Sequence, residues 1–193
     1  RQMTNLVGCF NVGESDYQYH GANRLGANSL LSCIFGGLVV GVEVPRYLNN
    51  LQSSASELPE KVFEEALEIE KSAQEELLQK EGPENVHLLH DELSEWMVNY
   101  VSVKRDNPDL ERTIQKLKEI RERLKQIGLD DKGKKLNQTY VFARQFPAML
   151  ELALVIAKGA LLRNEFRGAH YKPEFAGRDD DNWLKTTIAT YDI

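Results

Sequence analysis

Along most of this chain, apolar residues return every three or four positions and are then cut off by glycine or proline. That pattern suits a series of packed amphipathic helices. From Pro59, residues Val62, Ala66, Ile69, Ala73 and Leu77 mark one face, and Gly82-Pro83 closes the segment. The next run places Leu89, Leu93, Trp96, Met97 and Tyr100 on one side. Asn107-Pro108-Asp109 reads as a helix start, with a capping residue, a proline whose missing N–H costs nothing in the first turn, and an acid at the positive end. Leu110, Ile114, Leu117, Leu124 and Ile127 form its stripe as far as Gly128. A last helix should open near Asn137 and carry Val141, Phe142, Phe146, Leu150, Ala153 and Ile156, with Pro147 kinking it or dividing it in two. Beyond Pro147 it is apolar on nearly all sides, as the central helix of a bundle would be. The chain is therefore expected to be mainly α, built around an antiparallel bundle of three to four helices.

The first fifty residues read differently. Val7 to Gly13 predicts a short buried strand ending in Gly13-Glu14, followed by His20-Gly21-Ala22-Asn23-Arg24-Leu25-Gly26-Ala27-Asn28-Ser29-Leu30-Leu31. Gly21, Asn23, Gly26 and Asn28 tolerate positive φ or bond their own backbone, so the chain can turn sharply and project Arg24 from a turn. Asn28 or Ser29 can cap the helix that runs from Leu30 through Gly41, whose small residues permit close packing. The open N–H groups of its first turn suit a phosphate, a carboxylate or an electron-rich ring edge. Strand, loop and helix in this order is how α/β folds present cofactors at strand ends. Asn49 to Ser56, rich in Asn and Ser, reads as a linker, and Trp183 to Tyr191 as a short extended strand after the charged turn Arg178 to Asn182.

A chain of 193 residues, 41% hydrophobic, can bury one sizeable core or a small core plus part of another. A net charge of −6 argues against a nucleic-acid partner, and the one compact basic run, Lys132 to Lys135, reads as a solvated loop. Cys9 and Cys33 fall in the apolar strand and helix and are expected to be reduced core residues. The most apolar stretches, Leu30 to Val44 and Ala148 to Leu162, fall short of the ~18 residues that span a bilayer, so no direct membrane insertion is expected. His87 and His90 stand at i and i+3 beside Asp91 and Glu92, but without cysteine or a carboxylate on the same face no metal site is expected. His20 reads as a neutral ring bonded to backbone in preference to an acid or base. Arg24 is either a carboxylate clamp or an arginine tied to a local carbonyl or to Asp16.

The stretch from Leu6 to Gly41 closely resembles the flavoprotein subunit of succinate dehydrogenases and fumarate reductases, where Gly-Glu is followed by His-Gly-(Ala or Gly)-Asn-Arg-Leu-Gly-(Gly or Ala)-Asn-Ser-Leu-Leu. A second match is Arg163-Asn164-Glu165-Phe166-Arg167-Gly168-Ala169-His170-Tyr171-Lys172-Pro173, followed by Arg178-Asp179-Asp180-Asp181-Asn182-Trp183-Leu184-Lys185. The chain departs from the family at Phe166, where serine is common. The segments Ser32-Cys33-Ile34-Phe35-Gly36-Gly37 and Glu95-Trp96-Met97 resemble the bacterial branch whose membrane anchor is a single cytochrome b.

This resemblance implies that residues 1–50 are the C-terminal piece of an FAD-binding α/β domain. Residues 57–165 would be its helical domain, and 166–193 a tail that packs back on the flavin domain. The start Arg1-Gln2-Met3, with no G-x-G-x-x-G fingerprint after it, is read as the last third of such a subunit. It implies Arg24 as a ligand for a substrate carboxylate, and Glu14, Ser29 and Leu30 as contacts of FAD. No catalytic residue and no metal ligand is expected in this stretch. The implied activity is interconversion of succinate and fumarate, with electrons passing through an iron–sulfur subunit and a cytochrome b membrane anchor to quinone. The implied place is the cytoplasmic face of a bacterial inner membrane, held peripherally by those partners. Two rivals stand beside it: an L-aspartate oxidase-like flavoenzyme, which usually has Met-Ala-Ser where this chain has Leu25-Gly26-Ala27, and a non-catalytic helical interaction module without cofactor.

Overall fold

A computed structural model describes residues 2–16 and 20–190. Among the described residues six α-helices follow one another: α1 (Asn28–Asn49), α2 (Glu60–Gln79), α3 (Val86–Met97), α4 (Asn107–Leu124), α5 (Gln138–Leu162) and the single turn α6 (Asp180–Trp183). The backbone groups into two compact units, Arg1–Glu64 and Glu65–Ile193.

In the second unit, α3, α4 and α5 share one core. Leu89 and Leu93 from α3, Leu110, Leu117 and Ile120 from α4, and Phe146, Leu150 and Ala157 from α5 meet there, each 5% exposed or less. The α4 stripe sits inside as its spacing requires, joined by Ile120 and by Thr113, whose hydroxyl is spent on the Asp109 carbonyl at 2.8 Å. The cap of α4 is Asp106, not Asn107: the Asp109 N–H donates to Asp106 Oδ1 at 2.9 Å, and Asn107 is the first helical residue. Asn137 caps α5 by accepting from the Tyr140 N–H at 2.8 Å, and the helix passes through Pro147 without a break. α3 runs on into a π turn, Val98–Ser102, which buries Val101.

α2 forms where its periodicity places it but buries only Leu78; Val62 and Ile69 are exposed, so the apolar stripe of its early turns takes no part in this core. Gly82 and Gly128, expected only as helix stops, instead form a crossing. Gly128 N–H donates to the Glu84 carbonyl at 2.9 Å and Gly82 N–H to the Ile127 carbonyl at 3.3 Å. A Cβ on Gly82 would lie 1.8 Å from the Gln126 carbonyl oxygen, a separation no side chain can occupy.

The first unit departs from its expected strand. Met3 and Phe10 form a single antiparallel bridge around a tight turn, with Gly8 at φ +86°, and Val7 is exposed. A strand needs a neighbour along its whole length to take its backbone bonds, and among the described residues only the short segment around Met3 pairs with this one, Thr4 N–H donating to the Cys9 carbonyl and Asn11 N–H to the Gln2 carbonyl, each at 2.8 Å. Cys9 is accordingly exposed and Cys33 half-buried, both free and neither in a core. The tail differs for the same reason: Asp179 caps α6, Trp183 closes it, and residues 184–190 form no strand, while Tyr191 lies outside the described residues.

Helix lengths correct one further expectation. α1 continues past Gly41 through Pro45 to Asn49, and α5 spans 25 residues, so both are long and apolar enough to cross a membrane by length and composition. α5 lines the core on one side and exposes Leu152 and Ile156 on another. α1 buries only Gly36.

Candidate functional site

Glu14 sits in a short 3-10 turn, Gly13–Asp16, that is seated on α1. The seat depends on two glycines. Gly13 adopts φ +74°, and a Cβ there would meet Cys33 Sγ at 3.2 Å; a Cβ on Gly36 would meet Val12 Cγ1 at the same distance. Asn11 Nδ2 donates to the Ser15 carbonyl at 2.8 Å and Ser15 Oγ to the Val12 carbonyl at 2.9 Å, which pins the turn from both ends.

Arg24 lies in the loop before α1, and its Nη1 donates to Glu14 Oε1 at 2.7 Å. Of the local partners, the turn offers Arg24 the Glu14 carboxylate and not the carbonyl or Asp16 considered above. Both side chains are substantially exposed, 49% for Arg24 and 68% for Glu14. One edge of the guanidinium is thus engaged, and the edge carrying Nε and Nη2 retains the planar pair of donors that fits a carboxylate.

α1 opens without the side-chain cap expected from Asn28 or Ser29. Ala27 holds the cap position in a left-handed conformation, φ +65°, and makes no side-chain bond. Asn28 N–H reaches the Leu25 carbonyl at 3.3 Å and Leu31 N–H the Ala27 carbonyl at 3.5 Å. Among the described residues, the Ser29 and Leu30 amides bond no acceptor, so two donors stand at the positive end of a 22-residue helix. His20 Nε2 lies 3.2 Å from Ser32 Oγ, which itself donates to the Ser29 carbonyl at 2.7 Å. With that hydroxyl proton committed, this ring nitrogen is the donor to the Ser32 side chain.

The second motif builds a closed polar cluster at the C-terminal end of α5. Burial alone would push the Glu165 carboxyl up, but it accepts from Arg167 Nε at 2.8 Å, from the Asp179 N–H at 3.0 Å and from Arg163, which hold it at about 2. Lys172 is fully buried, yet its ammonium meets the carbonyls of Ala160, Leu161 and Arg163 and Asn164 Oδ1 at 3.0 to 3.3 Å, closing the open end of α5. Burial lowers its pKa. His170 donates from Nε2 to the Arg163 carbonyl and accepts at Nδ1 from Arg105, each at 2.8 Å. Burial keeps its pKa below the ordinary value, with the Arg105, Lys172 and Arg163 charges acting in the same direction. Every one of these groups is consumed internally, which marks a fastening for the tail. The sequence showed the motif, but nothing in it signalled that a lysine would replace solvent at a helix end. Phe166 points instead to an aromatic contact, its ring 5.0 Å from that of Tyr171.

His87 and His90 use their rings in packing: His87 stacks on Phe142 at 4.8 Å, and His90 meets Phe142 and Phe146 edge-on. Among the described residues, no group of three or more His, Cys, Asp or Glu side chains is arranged to hold a metal.

Comparison with known proteins gives consistent results. Residues 90–193 match the family model described as fumarate reductase flavoprotein C-term. Over 190 residues, 98% of this chain, the sequence is 48% identical to the succinate dehydrogenase flavoprotein subunit of Bacillus subtilis, covering 32% of that protein. It is 33% identical to the fumarate reductase flavoprotein subunit of Helicobacter pylori, over 97% of this chain and 26% of the relative. In structure it is similar to a variant of FrdA from E. coli quinol fumarate reductase, with TM-score 0.82 and 29% identity over 91% of this chain and 30% of that one. A Mycobacterium smegmatis Sdh1 complex in the apo form matches with TM-score 0.77 and 28% identity, over 88% of this chain and 28% of that one. The chain thus spans between a quarter and a third of the length of these relatives.

Proposed function

Because the chain belongs to the family of succinate dehydrogenase and fumarate reductase flavoprotein subunits, we propose that it forms the C-terminal part of a subunit that interconverts succinate and fumarate. In this reading residues 1–50 complete an FAD-binding domain, 57–165 form its helical domain, and 166–193 are the tail. Membership in the family displaces the reading as a free-standing helical module.

The observation that carries the proposal is the placement of Arg24 in the loop that leads directly into the uncapped end of α1. Arg24 binds one carboxylate of the dicarboxylate through its free edge. The Ser29 and Leu30 amides fit the electron-rich edge of an isoalloxazine ring, because two unpaired donors at a helix N-terminus favour negative charge there. Glu14 supplies an acceptor for cofactor hydroxyls. When bound, FAD supplies the hydride chemistry at the methylene carbons of succinate and the route by which electrons leave. The residues of this chain hold and orient the reactants and are assigned no proton transfer.

An iron–sulfur subunit and a cytochrome b anchor are the proposed partners, with quinone as final acceptor. They would hold the subunit at the cytoplasmic face of a bacterial inner membrane. α1 and the exposed face of α5 are then read as surfaces covered by protein, not by lipid.

The test is succinate–phenazine dye reductase activity and bound-flavin absorbance of the full-length subunit expressed with its iron–sulfur partner, wild type against Arg24→Lys. Lysine keeps the charge but loses the planar pair of donors. The reading expects flavin retained and activity reduced by about 10²-fold or more, the cost of misplacing substrate. Flavin without succinate activity in the wild type would refute the substrate, and no flavin would refute the whole reading.

A further inference from the structure

We propose that Ser32 and His20 are positioning residues for the Leu30 N–H, joined to it by a chain of hydrogen bonds that strengthens it as a donor to the reduced flavin; this rests on the assignment of that amide to the electron-rich edge of the ring. Ser32 Oγ donates to the Ser29 carbonyl at 2.7 Å, and His20 Nε2, 3.2 Å from Ser32 Oγ, donates to that hydroxyl. The Ser29 carbonyl and the Leu30 N–H are the two ends of one peptide group. A bond accepted at the oxygen draws electron density towards it and makes the N–H a better donor, and a hydroxyl that itself accepts a bond is in turn a better donor. The links therefore all point the same way, from the imidazole to an amide that bonds no acceptor among the described residues.

Neither side chain serves as a cap. α1 opens on Ala27 with no side-chain cap bond, and Ser32 stands beyond the four open N–H groups of the first turn, so its hydroxyl closes none of them. Both bonds are partly buried, which shields them in part from competing water. The loop that carries Arg24 runs between His20 and α1, and the His20–Ser32 bond ties its start back to that helix. Reduction places negative charge on the edge that the Leu30 N–H meets in this reading, so the chain of bonds favours the reduced ring over the oxidised one. Losing the hydroxyl lowers that preference about three- to tenfold, which for a two-electron couple is ~15 to 30 mV.

The experiment uses the full-length subunit in complex with its iron–sulfur and anchor partners, as wild type, Ser32→Ala, Ser32→Thr, His20→Phe and the double variant of His20→Phe with Ser32→Ala. It reads bound flavin and, by titration against redox dyes, the two-electron potential of the flavin. Ser32→Ala is expected to keep its flavin and to lower the potential by ~15 to 30 mV. Ser32→Thr keeps a hydroxyl that can make the same bond to the preceding turn and should stay within ~5 mV of wild type. His20→Phe keeps a ring without a donor and should lower the preference about two- to threefold, but add nothing in the Ser32→Ala background, because its effect runs through the hydroxyl. An unchanged or raised potential in Ser32→Ala or His20→Phe would overturn the proposal. So would a fall in Ser32→Thr equal to that in Ser32→Ala, or additive effects in the double variant. Loss of flavin from Ser32→Ala would overturn it by making the serine part of the scaffold. Failure of the underlying reading is separate: it appears as a wild type that binds flavin and a Leu30→Pro variant, without that N–H in a turn where proline is tolerated, whose flavin potential matches wild type.

Discussion

Replacing Glu165 by glutamine removes one charge from the tail fastening and changes almost nothing in its shape. The carboxylate is fully buried between Arg163 and Arg167 and also accepts from the Asp179 N–H. Its pKa of about 2, against an ordinary 4.5, makes the ionised form worth about 3 kcal/mol more to the fold than the neutral form, at ~1.4 kcal/mol per pH unit. Arg167 keeps Asp180 at 2.6 Å and Arg163 keeps the Trp183 carbonyl at 3.0 Å, so neither cation is left without a partner. The loss should therefore lie near ~2–3 kcal/mol, below the 3–5 kcal/mol typical when a buried pair is broken outright. Urea unfolding at pH 7 reads it directly. The pH dependence is the sharper check. A carboxylate whose folded pKa is depressed contributes its full stability above its unfolded value and loses it as pH falls towards the folded one. The gap between wild type and Glu165→Gln should thus close as pH falls from 4.5 to about 2. A gap below ~0.5 kcal/mol at pH 7, or one that persists unchanged at the acid end, would refute the assignment of this stability to the buried charge.

Two further outcomes test the backbone and one tests the core. Gly82→Ala forces a Cβ into the Gln126 carbonyl and should cost more than ~2 kcal/mol in urea unfolding, although alanine is the better helix and chain former. Leu136→Gly should stabilise by ~0.5–1 kcal/mol in the same assay, since Leu136 is held at φ +55° with its side chain fully exposed, so relieving the backbone forfeits no burial. Phe146→Ala, at a side chain that is 0% exposed in the middle of the three-helix core, should cost ~3–5 kcal/mol by calorimetry.

The helices of the core and their inward faces follow from local sequence alone. Leu110, Ile114 and Leu117, like Phe146 and Leu150, are buried because a helix has one period, and a residue's place in that period fixes the side it presents. Local sequence also marked the two motifs that carry the family, since the residue types that turn a chain before a helix are few. Which groups meet depends instead on how distant segments fold back on one another. Glu14 and Arg24, ten residues apart, are joined because a glycine-dependent turn lies on α1. Lys172 closes α5 and Gly82 crosses Gly128 because distant segments fold back to within hydrogen-bonding reach. The strand expected from Val7 to Gly13 did not form for a related reason: a helix satisfies its backbone within its own span, whereas a strand depends on a neighbour that local sequence cannot supply.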